Sequence, residues 1–238
     1  MSSDTGQLPL ALRIDRHACF DSFVADGNNS AIAHLTSVAG GERHDLIWLW
    51  GLPGSGKSHL LQASCRLASE SGARAMYLNL DPAKMEPEIL SNLDSIDLLA
   101  IDDLQNLAGD AVWEAALFSL VNARYAVNAA LLMAAEGSPS AVGFRLPDLA
   151  SRAAGSIVYR LKPLNDESQL EALMQHAAIR GLEVDASTAA YLFKRVQRDM
   201  RELVLWLDRI DREALIAQRR ITVPFVRALL EARAGDSE

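Results

Sequence analysis

The sequence predicts an α/β protein in which a parallel five-stranded sheet is flanked by helices and followed by a small all-α lid domain. The first observation is a set of short runs that are apolar throughout and have the length of strands, as in parallel strands covered on both faces. The second is that longer stretches with helical periodicity separate these runs. The runs are 46–50, 75–80, 98–101, 130–134 and 157–161.

Helices are expected in both parts of the chain. In the first part the periodic stretches are 58–71, 112–126 and 146–154, and the first of them ends before Gly72, as a helix C-cap does. After Lys162 and Pro163 only helical periodicity remains, at 166–180, 187–197, 199–217 and 223–233. We therefore expect an N-terminal arm at 1–19, an α/β domain at 20–162 and a helical lid domain at 163–238.

Charge and composition exclude several functional classes. The 238 residues carry 23 basic and 31 acidic side chains, and this net charge of −8 argues against a main role in holding nucleic acid. No stretch approaches the roughly 18 apolar residues of a membrane span, and the N-terminus lacks the features of a signal peptide. Cys19 and Cys65 form no CxxC motif and suit a reducing compartment. We expect a cytoplasmic protein without a membrane partner.

The strongest motif is a complete G-x-x-x-x-G-K-[ST] sequence between the first predicted strand and the first predicted helix. Its glycines allow backbone N–H groups to turn toward a phosphate, and the helix start adds its positive dipole end. Lys57 is expected to reach the β and γ phosphates of ATP or ADP, and the Ser58 hydroxyl to bind Mg²⁺. The alternative is a glycine-rich turn without a ligand. The predicted nucleotide-binding residues are Gly51, Leu52, Pro53, Gly54, Ser55, Gly56, Lys57, Ser58 and His59.

Two carboxylates follow the apolar run at 98–101. A P-loop enzyme needs an acid at the end of a neighbouring strand, where it holds Mg²⁺ through water, and Asp102 is predicted to take this role. Asp103 is the candidate for positioning the attacking water. The alternative for Asp103 is an N-cap of the next helix.

The following strand lacks the polar side chain that many such ATPases place beside the γ-phosphate. Ala134 and Ala135 offer no polar side-chain atom, and Glu136 would repel the phosphates unless it points away. We therefore expect nucleotide binding but only weak intrinsic hydrolysis.

Two arginines occupy positions that suit contacts with phosphate. Arg152 lies late on the helix before the last strand, where it suits a finger offered to the nucleotide of a neighbouring subunit. Arg201 opens a helix of the second domain, where it suits a clamp from the lid onto this chain's own phosphates. The alternative for either is a solvated surface arginine.

Together these residues resemble AAA+ ATPases of the bacterial initiator clade, and within it the regulators that inactivate the initiator DnaA. The resemblance covers nearly the whole chain, and its narrow signatures are LPDLASR at 146–152 and ITVPFV at 221–226. The other segments are CFDSFV at 19–24, the P-loop with HLL, DLLAIDDLQNLAGDAVWE at 97–114, LKPLNDE at 161–167 and DMREL at 199–203.

The resemblance implies a P-loop NTPase (AAA+) fold that binds an adenine nucleotide, notably ADP. It also implies docking on the DNA polymerase sliding clamp and stimulation of the hydrolysis of ATP held by DnaA. By position, Arg152 corresponds to the arginine finger and Arg201 to the lid sensor. DNA would then be reached only indirectly, through the loaded clamp. Assembly as a homo-oligomer is left open.

The resemblance further assigns the N-terminal arm as a clamp-binding peptide, with Gln7, Leu8, Leu10 and Leu12 as its contact residues. An extended arm with a glutamine and spaced leucines suits an apolar groove. The alternative is a frayed tail whose leucines pack on their own domain.

Two other functional classes remain as alternatives. A self-sufficient P-loop ATPase, acting as a DNA-remodelling or helicase-loading factor, would turn over ATP by itself. A small-molecule P-loop kinase would need an insertion that binds the acceptor, and the sequence contains none.

Overall fold

The computed structural model describes residues 17–196 and 200–235, and it confirms the predicted five-stranded parallel sheet. The strands are β1 (Leu46–Trp50), β2 (Ala75–Asn79), β3 (Leu98–Asp102), β4 (Ala130–Ala135) and β5 (Ile157–Arg160). They lie in the order β2-β3-β4-β1-β5. All strands therefore end at one side, here called the carboxyl end of the sheet (Trp50, Asn79, Asp102, Ala135, Arg160), and start at the other, the amino end (Leu46, Ala75, Leu98, Ala130, Ile157).

Helices cover both faces of the sheet and account for its apolar strands. They are α1 (Asn29–Ala39), α2 (Lys57–Glu70), α3 (Ala111–Ala126) and α4 (Pro147–Ala154). One buried cluster joins α1 and α2 to one face, around Leu35, Leu60 and Leu132. The other joins α3 and α4 to the opposite face, around Leu117 and Leu149. Short 3₁₀ turns lie at Phe20–Ser22, Pro87–Leu90 and Leu104–Leu107.

Helix α1 has no counterpart in the sequence prediction, although Ala31, Leu35 and Val38 have helical spacing and are buried. Its N-cap residue, Asn28, makes no side-chain cap bond. Instead the Asn28 amide donates to the Lys162 carbonyl at 3.1 Å and its oxygen accepts from the Lys162 N–H at 2.9 Å. This pair of bonds ties the start of α1 to the chain just beyond β5.

After β5 the described chain is helical, as predicted. The helices are α5 (Asp166–Ile179), α6 (Ala186–Arg195), α7 (Met200–Ala217) and α8 (Val223–Gly235). The side chains of Asn165 and Asp185 accept backbone N–H bonds and start α5 and α6. A separate buried cluster around Leu192, Leu203 and Leu207 holds the four helices together. The expected boundary at residues 162 and 163 lies between β5 and α5.

None of the helices described in the chain is long and apolar enough to cross a membrane.

Candidate functional site

The P-loop follows β1 at the carboxyl end of the sheet and runs directly into α2. A Cβ atom on Gly51 would come within 2.8 Å of both the Leu161 carbonyl oxygen and the Ser55 hydroxyl oxygen. Gly56 has φ +90°, and a Cβ there would lie 2.4 Å from the Phe23 ring. Both positions therefore require glycine, for space at Gly51 and for space and backbone conformation at Gly56.

The Lys57 side chain lies inside the P-loop, where it is predicted to bind the phosphates. Its side chain is almost fully buried, and the Nζ atom donates to the carbonyls of Gly51 at 2.7 Å and Leu52 at 3.2 Å. Burial lowers the pKa of Lys57, the nearby Asp102 opposes that shift and Arg201 adds to it. The ammonium group is thus held within the P-loop by two of its backbone carbonyls.

Ser55 and Ser58 complete the polar part of the loop in different ways. Among the residues that the structure describes, the buried Ser55 hydroxyl has no hydrogen-bond partner. The Ser58 hydroxyl is hydrogen-bonded to the Asp102 carboxylate. Ser55 therefore has an unused bonding group directed into the loop, whereas Ser58 links α2 to the end of β3.

Asp102 is fully buried at the end of β3, close to the P-loop. It accepts from the Tyr77 hydroxyl at 2.8 Å and from the Asp103 N–H at 2.9 Å. Burial raises the pKa of Asp102, and the bonds from Ser58 and Tyr77 oppose that rise. The Ser58 and Asp102 oxygens are the donors that Mg²⁺ prefers, so this pair fits the ion when phosphate and water supply the remaining ligands.

The strand order corrects one expectation about this acid. The sequence placed Asp102 at the end of a strand neighbouring the P-loop strand, but β4 lies between β1 and β3. Asp102 still contacts the P-loop region, because the hydroxyl of Ser58, the second residue of α2, is hydrogen-bonded to its carboxylate.

Asp103 is held by side chains that the sequence analysis did not identify. Its carboxylate accepts from the Asn79 amide at 2.7 Å and the Gln105 amide at 3.0 Å. It begins the 3₁₀ turn at Leu104–Leu107 but makes no side-chain cap bond, so the capping alternative is wrong. Tyr77 and Asn79 are two residues apart in β2 and therefore lie on the same face of the strand. This spacing is the sequence signal that would have indicated them.

β4 contributes no polar side chain between these acids and the P-loop. Ala134 and Ala135 are buried, and they pair with Leu49 and Trp50 of β1. Glu136 is exposed just after the strand, where its N–H donates to the side-chain amide oxygen of Gln105 at 3.1 Å.

A cavity of about 780 Å³ opens between the P-loop and the lid helices. This volume lies within the range of small-molecule and cofactor pockets. Arg201, in the first turn of α7, lines it together with Lys57 and Ser58. Phe23 also lines the cavity, and its ring lies beside the P-loop, next to Gly56.

His59 joins the three parts of the protein that surround this cavity. Its Nε2 atom lies 2.8 Å from the Cys19 carbonyl oxygen and 3.2 Å from the Ser22 hydroxyl. Its ring meets the ring of His176, on α5, edge-on at 5.4 Å between centroids. His59 therefore has a structural role beside the P-loop, in addition to lining the cavity.

Arg152 lies at the other end of the sheet. It is exposed in the last turn of α4 and lines a second cavity of about 810 Å³, together with Leu46 and Ile157, the first residues of β1 and β5. β1 has five residues, so the two ends of the sheet are about 13 Å apart. The P-loop and Arg152 of one chain therefore face in opposite directions.

The predicted clamp-binding residues Gln7, Leu8, Leu10 and Leu12 lie outside the described residues. Within the described ranges, no group of three or more His, Cys, Asp or Glu side chains is arranged to hold a metal ion. A metal at this site would depend on the Ser58–Asp102 pair and on a phosphate ligand.

The sequence matches two family models. The model described as the bacterial DnaA ATPase domain matches residues 14–155. The model described as the Hda lid domain matches residues 166–230. Together they cover four of the five strands, the helices α1–α4 and most of the helical region after β5, while β5 itself lies between the two matches.

Solved structures of similar fold include two initiators and a DNA motor. Domain III of Thermotoga maritima DnaA is 21% identical, with a TM-score of 0.75 over 92% of this chain and 97% of that chain. AMPPCP-bound DnaA from Aquifex aeolicus is 22% identical, with a TM-score of 0.66 over 84% of this chain and 66% of that one. The Thermotoga maritima RuvB branch migration motor is 19% identical, with a TM-score of 0.59 over 85% and 68%. These likenesses confirm the AAA+ fold expected from the sequence.

Proposed function

The chain belongs to the bacterial DnaA ATPase-domain family and has an Hda-type lid, and from this premise we propose that it is a cytoplasmic AAA+ regulator of replication initiation. In this proposal the protein binds an adenine nucleotide, docks on the DNA polymerase sliding clamp and stimulates the hydrolysis of ATP bound to DnaA. Arg152 acts in trans as the arginine finger.

The observation that carries the proposal is the placement of Arg152 and the P-loop at opposite ends of the sheet. An arginine at the opposite end of the sheet from its own P-loop, with β1 spanning about 13 Å between the two ends, is unsuited to the phosphates of its own nucleotide. It is suited to a nucleotide presented by a second protein that docks head to tail. The exposure of Arg152 supports this arrangement, because the guanidinium group needs no rearrangement to meet a partner.

The nucleotide of this chain is proposed to occupy the cavity between the P-loop and the lid. The P-loop N–H groups and Lys57 would hold the phosphates, and Arg201 would contact them from the lid. Ser55 would supply its free hydroxyl. Ser58 and Asp102 would hold Mg²⁺, which when bound neutralises charge on the β and γ phosphates. AMPPCP in DnaA of similar fold supports an adenine nucleotide, either ADP or ATP, as the ligand.

Hydrolysis by this chain alone is proposed to be weak. The Asp103 carboxylate accepts one amide bond at each oxygen, from Asn79 and Gln105, and these bonds leave fewer of its lone pairs for positioning a water. β4 adds no polar side chain, since Ala134 and Ala135 occupy its end. The regulatory step is therefore the reaction on DnaA, in which water adds to the γ-phosphorus while the bond to the β–γ bridging oxygen breaks. Arg152 would stabilise the charge that develops on the phosphate oxygens in that step.

The decisive experiment follows hydrolysis of DnaA-bound ATP with this protein, ADP and DNA-loaded clamp. Arg152→Ala should reduce the stimulated rate by roughly 10³-fold or more while ADP binding is unchanged. Arg160→Ala is the matched control, because Arg160 is also exposed and lies over an aromatic ring, Trp50, but at the carboxyl end of the sheet. Unchanged stimulation by the Arg152 variant would refute the finger assignment.

Docking on the clamp is proposed to use Gln7, Leu8, Leu10 and Leu12 of the N-terminal arm. An extended segment of this composition can fill an apolar groove with its leucines while the glutamine hydrogen-bonds. Replacement of Gln7 and Leu10 by alanine should eliminate co-elution with the clamp and leave ADP binding intact. Persistence of the complex would contradict the peptide assignment.

A self-sufficient ATPase, acting in DNA remodelling or helicase loading, is the second candidate. The observation in its favour is the complete set of Lys57, Ser58 and Asp102 in contact at the P-loop. It predicts ATP turnover by the purified protein that DNA increases and Lys57→Ala abolishes. Absence of turnover in the presence of DNA would leave the regulatory function as the better account.

A further inference from the structure

The Arg152 side chain is held by an aromatic ring on a neighbouring helix. Its Cζ atom lies 5.0 Å from the centroid of the Tyr125 ring. Tyr125 is in the last turn of α3 and is 62% exposed, and both side chains line the cavity at the amino end of the sheet. The contact is a cation–π interaction, in which the ring face attracts the guanidinium group.

This mode of holding leaves the bonding capacity of the arginine free. A guanidinium group has five N–H donors that lie in its plane, and a carboxylate partner would occupy two of them. The Tyr125 ring attracts the cation without such a partner. Across residues 17–196 and 200–235, Arg152 forms no ion pair. Asp45, which lines the same cavity, already accepts from Arg43 at 2.6 Å and contacts His34 at 2.8 Å.

The ring is anchored to the sheet through its neighbour in sequence. Arg124 is buried, and its guanidinium group donates to the carbonyls of Ile96, Asp97 and Ala130. These bonds fix the end of α3 to the starts of β3 and β4. The backbone that carries Tyr125 is therefore anchored, and contact with the ring restricts the flexible Arg152 side chain.

Two exposed apolar side chains belong to the elements around this cavity: Ile157 lines it, and Val127 follows Tyr125 by two residues at the end of α3. Val127 is 72% exposed and Ile157 is 37% exposed. A docked partner would cover them and exclude water, which strengthens electrostatic interactions made by the guanidinium group.

We propose that Tyr125 is a positioning residue for the arginine finger, which directs the N–H edge of Arg152 toward the terminal phosphate of a nucleoside triphosphate bound to the partner. The inference rests on the proposed function. It assigns Tyr125 to the orientation of the finger and Val127 to the docking surface around it.

The test compares Tyr125→Leu, Tyr125→Phe and Val127→Ser in the hydrolysis of DnaA-bound ATP, titrated to saturation with this protein. Tyr125→Leu should lower the saturating rate about two- to five-fold, because it keeps apolar bulk but removes the ring face. Tyr125→Phe keeps the ring and should restore the rate. Val127→Ser should raise only the concentration for half-maximal stimulation. Thermal unfolding and ADP titration verify that each variant is folded.

The outcomes separate this inference from the function on which it rests. Loss of stimulation with Arg152→Ala but an unchanged saturating rate with Tyr125→Leu overturns the positioning role alone. A phenylalanine variant as slow as the leucine variant does so as well, because the ring would then not be the active feature. No effect of Arg152→Ala overturns the finger itself, and with it the role of Tyr125.

Discussion

The two ends of the sheet present their charged groups in opposite ways. At the carboxyl end, Lys57 and Asp102 are buried and already bonded to groups of the same chain. At the amino end, Arg152 is exposed and lies over the Tyr125 ring, and among the described residues it forms no ion pair. The carboxyl end holds its charged side chains by hydrogen bonds within the chain. The amino end holds the Arg152 guanidinium group by a cation–π contact instead.

The difference shows what each end can bind. Internal bonds hold Lys57 precisely in place while the surrounding loop still offers backbone N–H groups to a phosphate. A group that acts on another protein's ligand cannot use its donors internally, because it would lose them for the partner. Changes at the carboxyl end should therefore alter nucleotide binding by this chain, and changes at the amino end should alter only the effect on a partner.

The largest expected effect that tests this difference between the two ends is at Lys57. Lys57→Ala removes a charge-assisted contact to phosphate, so ADP affinity should fall roughly 30- to 100-fold, equivalent to about 2–3 kcal/mol. Isothermal titration with ADP measures it. Lys84→Ala is the matched control, since Lys84 is an exposed lysine paired with Asp81 away from the cavity. Equal affinities of the two variants would show that Lys57 does not contact the nucleotide.

A smaller effect is expected at Gly56, and Gly72 offers a control with nearly the same backbone. Gly56 has φ +90° and Gly72 has φ +88°, but an added Cβ meets the Phe23 ring at 2.4 Å only at position 56 and has open space at position 72. Alanine should strain both positions. Only Gly56→Ala should also displace Phe23, with an extra loss of about 1–3 kcal/mol in unfolding free energy. Denaturant unfolding measures the difference, and equal losses would exclude the steric contribution of Phe23.

The smallest effect concerns the start of α4, the helix that carries Arg152. The buried Glu114 carboxylate accepts from the backbone N–H groups of Gly109, Arg145 and Leu146 at 2.7–3.0 Å. Glu114→Gln replaces one acceptor oxygen by an NH₂ group that faces these donors. We expect it to lower the unfolding free energy by about 1–2 kcal/mol at pH 7.

The pH dependence of that difference has a definite sign. Burial acts to raise the pKa of Glu114, but the N–H bonds from Arg145, Gly109 and Leu146 outweigh it and hold the pKa below its usual value. The carboxylate therefore stabilises the folded state above the unfolded pKa of about 4.3, and this stabilisation is lost as the pH falls through the lower folded pKa. Urea unfolding at pH 7 and pH 3 should show that the difference in unfolding free energy between the unsubstituted protein and Glu114→Gln is smaller at pH 3. Glu42→Gln, at an exposed site, is the control.

The sequence was sufficient for the strands, most helices and the P-loop because these features depend on local pattern. A strand apolar throughout and a helix with a 3.6-residue period are each visible within a short window. Strand order is not visible there, and for that reason β4 was not expected between β1 and β3. Helix α1 was missed although its apolar spacing and a favourable N-cap residue, Asn28, are both present in the sequence. The structure uses the Asn28 side chain to bond Lys162 instead of capping the helix.

The parts of the site that the sequence did not predict depend on contacts between distant residues. Tyr77 and Asn79 meet the acids of β3 only because β2 pairs with β3, with Asn79 opposite Asp102. Tyr125 contacts Arg152 only because α3 and α4 pack side by side on one face of the sheet. A motif marks the residue that performs the chemistry, whereas the residues that hold it become visible only in three dimensions.

The bonds between Asn28 and Lys162 close a loop of 134 residues, a separation that is costly to close from an unfolded chain. In the folded protein the effective separation is far shorter, because β5 lies beside β1 with Arg160 opposite Trp50. The entropy of bringing the two residues together has then already been lost in forming the sheet. The contact between Asn28 and Lys162 is consequently expected to form late in folding, because the two residues are far apart in sequence. Local unfolding that frees β5 would break it. The start of α1 is thus tied to the chain just beyond β5, and this tie depends on the pairing of β5, an edge strand, with β1.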